Sequence, residues 1–375
     1  MDEITFRSAK QVFFGTGVRR QVGECASISG ESALIVCGRK SLQASGALEE
    51  LRGYLSDAGV ATGVFAEVEV EPSLATVERG REVFREQGHS LVIAAGGGSA
   101  LDVGKAVAGL AGHDGPVTHE TEVTDPGAPC IALPTTSGTG AEVTPNSVLT
   151  DTETGKKASI RGHALLPEFA LVDPELTVSC PSDQTAHSGL DALAQAIEAY
   201  VSTGANAISD PLAEEATRRI AAGLRDAVAD GSDLCAREGM ALGSLLAGFA
   251  LASARLGLIH GLAHPLGSLC HLPHGLVCGA LLPYVVEYNI DAASDRYAHL
   301  AREIDAGRDA DDLLAWLRTL VADLGADIDF AEAGLTRDDF DRILPPTLSS
   351  GSSAHNPRPI DEESVRRLLE RLIAQ

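Results

Sequence analysis

LVIAAGGGSALDVGKAVAG, residues 91–109, decides the fold. Five apolar residues, Leu91 to Ala95, run directly into Gly96, Gly97, Gly98 and Ser99, and a helical pattern follows with Asp102 placed in its first turn. A short unbroken apolar run bounded by glycines reads as a strand buried on both faces. Glycine lets a backbone approach a pyrophosphate closely and adopt positive φ. The N–H groups that open the helix add donors and positive potential for phosphate. A tight strand-to-helix turn that binds nothing has the same local pattern, and the loop carries neither G-x-G-x-x-G nor G-x-x-x-x-G-K-[ST]. FGTG at 14–17 has no such context and reads as a simple turn.

Outward from this stretch the first half alternates strand and helix. ALIVCG (33–38), GVATGVFAEV (59–68), PCIALPTT (129–136) and FALVDP (169–174) join 91–98 as strands, and 47–59 and 73–88 read as helices between them. That spacing implies βαβ units and a mainly parallel sheet. PTTSGTGAEVTP (134–145) closes the fourth strand and sets the hydroxyls of Thr135, Thr136, Ser137 and Thr139 beside Gly138 and Gly140. Open α/β sheets bind ligands at such C-terminal strand ends. A solvated loop is the plainer reading, weakened by two such loops at successive strands.

From Pro181 the strand signals stop. Residues 182–202, 209–230, 234–257 and 361–375 read as helices at a 3.6-residue period. We therefore expect two domains, an α/β domain over 1–180 and an all-helical domain over 181–375, with a cleft between them as the ligand site. The segment 348–359, LSSGSSAHNPRP, is the one loop of low-complexity character.

Composition removes several partners. The chain has 375 residues and a formal charge of −24, with 53 acidic against 29 basic residues. Such a surface repels nucleic acid and anionic membranes. A phosphate-bearing cofactor would need local help from helix N-termini and a few lysines. The seven cysteines show no C-x-x-C pair, which suits a reducing cytoplasm rather than a disulfide framework. MDEITFRSAK has no signal-peptide pattern, and no apolar run of ~18–20 residues escapes polar interruption, so no membrane span is expected.

The chemistry points to LIHGLAHPLGSLCHLPHG (258–275), which holds four of the eleven histidines. His260 and His264 are four residues apart and share a helix face. Pro265 and Pro273 should break the chain beyond them, leaving His274 at the start of the next helix. Histidine is the common transition-metal ligand and acid–base group. A divalent metal also wants a carboxylate. SGLDALAQAIEAY (188–200) offers Asp191, with Gln195 four residues on. Aspartate in so apolar a helix is costly to bury unless paired or coordinating; an exposed face with a capping Asp is the alternative.

Taken together, GGGSALDVGK, PTTSGTGAEVT, GLDALAQAIEAY and HGLAHPLG with PHG after it resemble the iron-dependent (group III) alcohol dehydrogenase family, from VFFGTG (12–17) to HNPRP (355–359). The resemblance implies an α/β N-terminal dinucleotide-binding domain plus an all-α C-terminal domain, an architecture shared with dehydroquinate synthase. It implies a pyrophosphate loop at Gly96, Gly97, Gly98 and Ser99 with Asp102 beside it. It implies nicotinamide and ribose contacts at Thr135, Thr136, Ser137, Thr139 and Lys157, and metal ligands at Asp191, Gln195, His260 and His274. His264 falls at the histidine near the nicotinamide, and Asn146 and the loop around His355 fall on the substrate side. His260, His264 and His274 are thus the candidate catalytic residues.

Two departures stand out. Gln195 occupies a position the family usually gives to histidine, so the metal could be held by three residues plus Gln195 or water, be held weakly, be a different metal, or be absent. Where NAD-preferring members carry an acidic residue after the second strand, this chain has Gly38, Arg39, Lys40 and Ser41. That tilts toward NADPH or dual use, unless Arg39 and Lys40 simply face solvent. The resulting expectation is a hydride transfer between NAD(P)H and a small aldehyde or alcohol, chiefly reduction of a short functionalised aldehyde, with Fe²⁺ or Zn²⁺ polarising the carbonyl. The enzyme is expected to be a cytoplasmic homo-oligomer, a dimer. An oxo-acid reductase of the maleylacetate type, or a lyase of the dehydroquinate synthase type, is the alternative. The lyase would want more Lys and Arg around its anionic substrate than the helical half offers.

Overall fold

A computed structural model describes residues 4–123 and 126–374. The chain divides into two compact units. One is Arg7–Cys180; the other runs from Pro181 onward and takes in the N-terminal stretch through Phe6, whose ring meets Phe249 at 6.0 Å.

In the first unit the strands are β1 (Gln11–Phe14), β2 (Ser32–Gly38), β3 (Ala61–Val68), β4 (Leu91–Gly96), β5 (Cys130–Pro134), β6 (Asn146–Thr150), β7 (Lys157–Arg161) and β8 (Phe169–Val172). Six form one parallel sheet in the order β1-β8-β5-β4-β2-β3. The apolar runs of β2, β4 and β5 explain their central places, because both faces are covered. Side chains alternate between two cores. Leu34, Val36, Val92 and Ala94 enter one, while Ile35, Cys37, Ile93 and Ala95 enter the other. Among the described residues five helices accompany the sheet: α1 (Val22–Ser29), α2 (Ser41–Ala44), α3 (Ala47–Asp57), α4 (Leu74–Glu86) and α5 (Gly98–Gly109). Ser73 opens α4 by accepting a bond from the Thr76 N–H, as a capping serine should.

The strand order reverses between β2 and β4. Chain direction across the sheet goes outward from β2 to β3, then resumes on the other side at β4 and β5. The ends of β2 and β4 therefore flank a topological switch point, with Cys37 paired to Ala95 just before the two loops.

Three features of this unit differ from the sequence expectation. β1 is additional to the expected strands; it is a four-residue edge strand, QVFF, mostly half-exposed, and so short a run gives little signal. The antiparallel hairpin β6–β7 is additional too, because its polar residues show no sustained apolar alternation. Helix α5 starts at Gly98, inside the glycine run, because the extended backbone of Gly97 already serves as its N-cap. Asp102 thus lies beyond the first turn, where its carboxylate meets side-chain and backbone donors rather than the helix start.

The second unit is helical: α6 (Ser182–Val201), α7 (Ser209–Ala229), α8 (Leu234–Ala254), α9 (Leu258–Cys270), α10 (His274–Glu303), α11 (Ala310–Asp323), α12 (Phe340–Leu348) and α13 (Glu362–Leu372). α6 packs against α7, α8 and α10 and is buried on nearly every side. α8 is long and apolar enough to cross a membrane. It ends at Ala254, short of the expected 257, because Arg255 takes a left-handed φ of 69°. Its Met240, Leu245, Ala247, Ala250 and Ala254 are buried in this unit's packing, which makes it a core helix. Pro265 does not interrupt α9; it sits inside the helix, and Pro273 is the N-cap of α10. The 348–359 segment is anchored rather than loose. Buried Asn356 accepts bonds from the Leu258 N–H at 3.2 Å and the Asn289 amide at 3.0 Å.

Candidate active site

In the α/β unit the two glycine-bearing loops are fastened to one another. The Thr135 N–H donates to the Gly96 carbonyl at 2.9 Å. Gly96 has a φ of +148°, open to glycine and strained for other residues. A Cβ on Gly98 would stand 2.5 Å from Thr139 Cγ2, so only glycine lets the loops approach this closely. Beneath them lies Lys105, fully buried. Its Nζ donates to the carbonyls of Ala141 (2.9 Å), Thr144 (3.3 Å) and Asn146, and pairs with Asp102 at 3.1 Å. The Asp102 carboxylate also accepts the Val148 N–H at 2.9 Å. Burial pushes the Asp102 carboxyl up despite Lys105 and that bond.

Thr135, Thr136, Ser137, Thr139 and Ser99 supply the hydroxyls of these loops, and all five residues are half-buried. Ser137 Oγ is itself buried and has no hydrogen-bond partner, a need that a ligand with polar groups would satisfy. The glycine run, the opening of α5 and this hydroxyl suit a dinucleotide. Gly38 ends β2 at the same switch point. Arg39 is exposed beside it and makes one long bond, 3.4 Å, to the Glu67 carbonyl. Lys157 opens β7 on the hairpin, paired with Glu71 and near enough to Asp102 for its charge to favour that carboxylate.

In the helical unit the histidine stretch and the α6 aspartate converge. Asp191 Oδ1 lies 3.2 Å from His260 Nε2 and 3.7 Å from His274 Nε2. Helix geometry explains the convergence. Asp191, Gln195 and Glu198 repeat at i, i+4 and i+7 on one face of α6, while α9 presents His260 and the first turn of α10 presents His274. Gly275 permits the approach: a Cβ there would meet the His187 carbonyl at 2.3 Å. His264 stacks on His274, with ring centroids 4.9 Å apart and planes 10° from parallel.

Glu198 fixes the orientation of His260. One carboxylate oxygen accepts the His260 Nδ1–H at 2.6 Å and the other accepts the Ile259 N–H at 2.6 Å. The Nδ1 proton is thereby held, and Nε2 is left aimed at Asp191. This is the carboxylate–histidine support that metal sites use. Gln195 donates its amide to Asp191, while its Oε1 is buried with no hydrogen-bond partner. Burial opposes ionisation of Asp191, yet the bond from His260 and the charge of His274 hold its carboxyl below the ordinary range. Burial likewise opposes charging His260, but Cys278, Glu198 and Asp191 around it raise its proton affinity well above the ordinary value. Two imidazole nitrogens, a carboxylate and an amide oxygen lacking a partner are a donor set that fits a divalent transition metal.

Three groups here lie outside the sequence-derived candidates. Glu198 is inside GLDALAQAIEAY and shares the face of Asp191, so periodicity alone could have found it. Lys105 is inside GGGSALDVGK; nothing in the sequence marks it as buried. Cys278 is four residues after His274, and its sulfur lies 3.6 Å from His274 Nε2 and 3.9 Å from His260 Nε2. The substrate-side candidates make bonds of their own. His355 donates Nδ1–H to the Gly351 carbonyl at 2.9 Å, and Arg358 lies over the Tyr288 ring at 4.4 Å. Asn146 begins β6, and its carbonyl accepts from Lys105.

A parallel sheet with a glycine-bearing switch point, joined in one chain to helices that gather Asp191, His260 and His274, defines a nucleotide-binding metalloenzyme class. The comparisons with known proteins make it specific. Residues 9–174 match the family described as iron-containing alcohol dehydrogenase, and residues 185–373 match its C-terminal domain. The chain belongs to the iron-containing alcohol dehydrogenase family and is an NAD(P)-dependent alcohol dehydrogenase. It is 37% identical to 1,3-propanediol dehydrogenase of Klebsiella pneumoniae, covering 95% of each chain. It is 33% identical to NADPH-dependent butanol dehydrogenase of Clostridium saccharobutylicum, covering 97% of each. The crystal structure of a 1,3-propanediol oxidoreductase superposes with a TM-score of 0.95 at 36% identity, covering 99% of this chain and 100% of that one.

Proposed function

We propose that the chain interconverts short alcohols and their aldehydes with NAD(P)H, chiefly as a reductase of short functionalised aldehydes. The observation that carries this reading is the buried Asp191–His260–His274 cluster braced by Glu198. A divalent metal held there supplies a Lewis acid for a carbonyl or alkoxide oxygen. Asp191, His260 and His274 hold it, with Gln195 alongside. Glu198 keeps the His260 Nδ1 proton in place so that Nε2 stays a ligand. His264, stacked on His274, holds the proton that balances hydride transfer. Gly96, Gly97, Gly98 and Ser99 bind the pyrophosphate at the start of α5, and Thr135, Thr136, Ser137, Thr139 and Lys157 orient the ribose and nicotinamide. Asp102 acts indirectly, by fixing Lys105 under the loops.

Gly38 leaves no carboxylate at the end of β2, and exposed Arg39 is close at hand for a 2′-phosphate, which favours NADPH or both cofactors. The relatives named for 1,3-propanediol and butanol make 3-hydroxypropanal and butanal the first substrates to try. The oxo-acid alternative has less support, since Arg358 is already committed to Tyr288, donating to its carbonyl at 2.9 Å. All seven cysteines are free thiols, which suits a reducing cytoplasm; we take the enzyme to be a homodimer there, a point sedimentation equilibrium decides. The test of function monitors reduced-nicotinamide absorbance with NADH and NADPH against a panel of short aldehydes and oxo acids, with Fe²⁺ or Zn²⁺ restored. Turnover with a short aldehyde supports the reading; none with any compound and either metal overturns it.

A further inference from the structure

The donors around Asp191 include a sulfur that the proposed function does not use. Asp191 Oδ1, His260 Nε2, His274 Nε2 and Cys278 Sγ all lie within 4.8 Å of one another. The separations have a recognisable size. In a tetrahedral zinc site with Zn–N of about 2.1 Å and Zn–S of about 2.3 Å, neighbouring N and O donors stand ~3.4 Å apart and neighbouring N and S donors ~3.6 Å. The corresponding distances here are 3.2 and 3.7 Å for the two histidines to Asp191. They are 3.9 and 3.6 Å for Cys278 to His260 and His274. Four edges of a tetrahedral donor shell are therefore already present in the side-chain positions.

The placement comes from the helix. Cys278 is one turn beyond His274 on α10, so both side chains project from the same face. The sulfur is fully buried, and two imidazole nitrogens lie within reach of it. Its surroundings otherwise exclude water, which would leave it an inert core thiol were no metal beside it. Gln195 is the poorer fourth donor, and its side chain bonds to Asp191 and so steadies a ligand. An amide oxygen is a weak neutral donor, whereas a thiolate is strong, charged and soft.

Resting on the reading of Asp191, His260 and His274 as a metal site, we propose that Cys278 is a metal ligand, giving a carboxylate–bis-histidine–thiolate centre that selects zinc over iron. On binding, the Cys278 S–H bond is replaced by a sulfur–metal bond and the proton is released to solvent, so no oxidant or reductant is needed. The added thiolate supplies the charge and softness that Gln195 lacks.

X-ray absorption at the zinc edge of the full-length protein reads this directly. The wild-type chain, reconstituted with one zinc, should show one sulfur at about 2.3 Å together with nitrogen and oxygen neighbours. Cobalt substitution should give an intense near-ultraviolet thiolate-to-metal absorption. Both signals should vanish in Cys278→Ser and Cys278→Ala and persist in Gln195→Ala. Zinc affinity in the Cys278 variants should fall by at least the roughly 10–100-fold that loss of a supporting partner costs, with the zinc-over-iron preference reduced. Zinc bound one per chain with no sulfur neighbour would overturn the thiolate ligand and leave the metal reading standing. Failure of the wild-type chain to bind any divalent metal would overturn both. The wild-type spectra decide the matter even if the Cys278 variants misfold.

Discussion

At the scale of single residues, the site depends on groups that never need to touch a substrate. Glu198 holds His260 through one short bond and the start of α9 through another. Glu198→Gln keeps the shape but weakens the hold on Nδ1–H. We expect metal affinity to drop about 10–100-fold, read by competition with a chromophoric chelator; unchanged affinity would show that His260 is oriented by packing alone. Glu142 carries a different prediction. Its buried carboxyl is pushed from an ordinary 4.5 up to about 7 by burial, with Lys105 opposing. The folded state thus holds a proton that the unfolded chain has lost between those values. Stability must fall as pH rises through this window, by up to about 3 kcal/mol. Glu142→Gln should flatten the decline and be the more stable chain at pH ~8. Urea midpoints at pH ~5 and ~8 test this; an equal decline in both chains would refute it.

At the scale of elements, the opening of α5 is a tight point of the α/β unit. Lys105 draws the 134–146 loop down by its carbonyls, and Gly98 lets Thr139 come against the helix start. Gly98→Ala places a methyl where Thr139 stands, and overpacking of this kind costs roughly 1–3 kcal/mol. Dinucleotide affinity should fall about tenfold or more, measured by cofactor fluorescence, with the metal content unchanged. Adding Thr139→Ser, which removes the crowding methyl, should restore part of it. A Gly98→Ala chain that binds cofactor normally would show that the loops part without cost. Helix positions were largely legible in the sequence, because apolar spacing reports a buried face directly. The start of α5 was not, since a run of three glycines gives no local signal of which one caps. Nor was the β6–β7 hairpin, whose first strand packs on α5 although its own residues show no sustained apolar alternation.

At the scale of the whole molecule, charge and topology set the terms. A net charge of −24 repels an anionic cofactor at long range. Association of NADPH should therefore quicken as salt rises from ~10 mM toward ~150 mM, where screening acts within ~8 Å. Stopped-flow rates that slow with salt would show that the local cations at Arg39 and Lys40 dominate instead. Reading along the chain was enough for the class of both units, the glycine loop after β4, the hydroxyl loop after β5 and the candidates Asp191, Gln195, His260 and His274. These are local signals: residue type, short spacing and period. It took the folded chain to show that β2 and β4 flank the switch point, that Lys105 is buried beneath the loops, that Glu198 grips His260, and that the sulfur of Cys278 faces two imidazoles. Such facts depend on which faces of α6, α9 and α10 meet. That is settled by packing across some ninety residues of chain, from Asp191 to Cys278, and not by any pattern within one element.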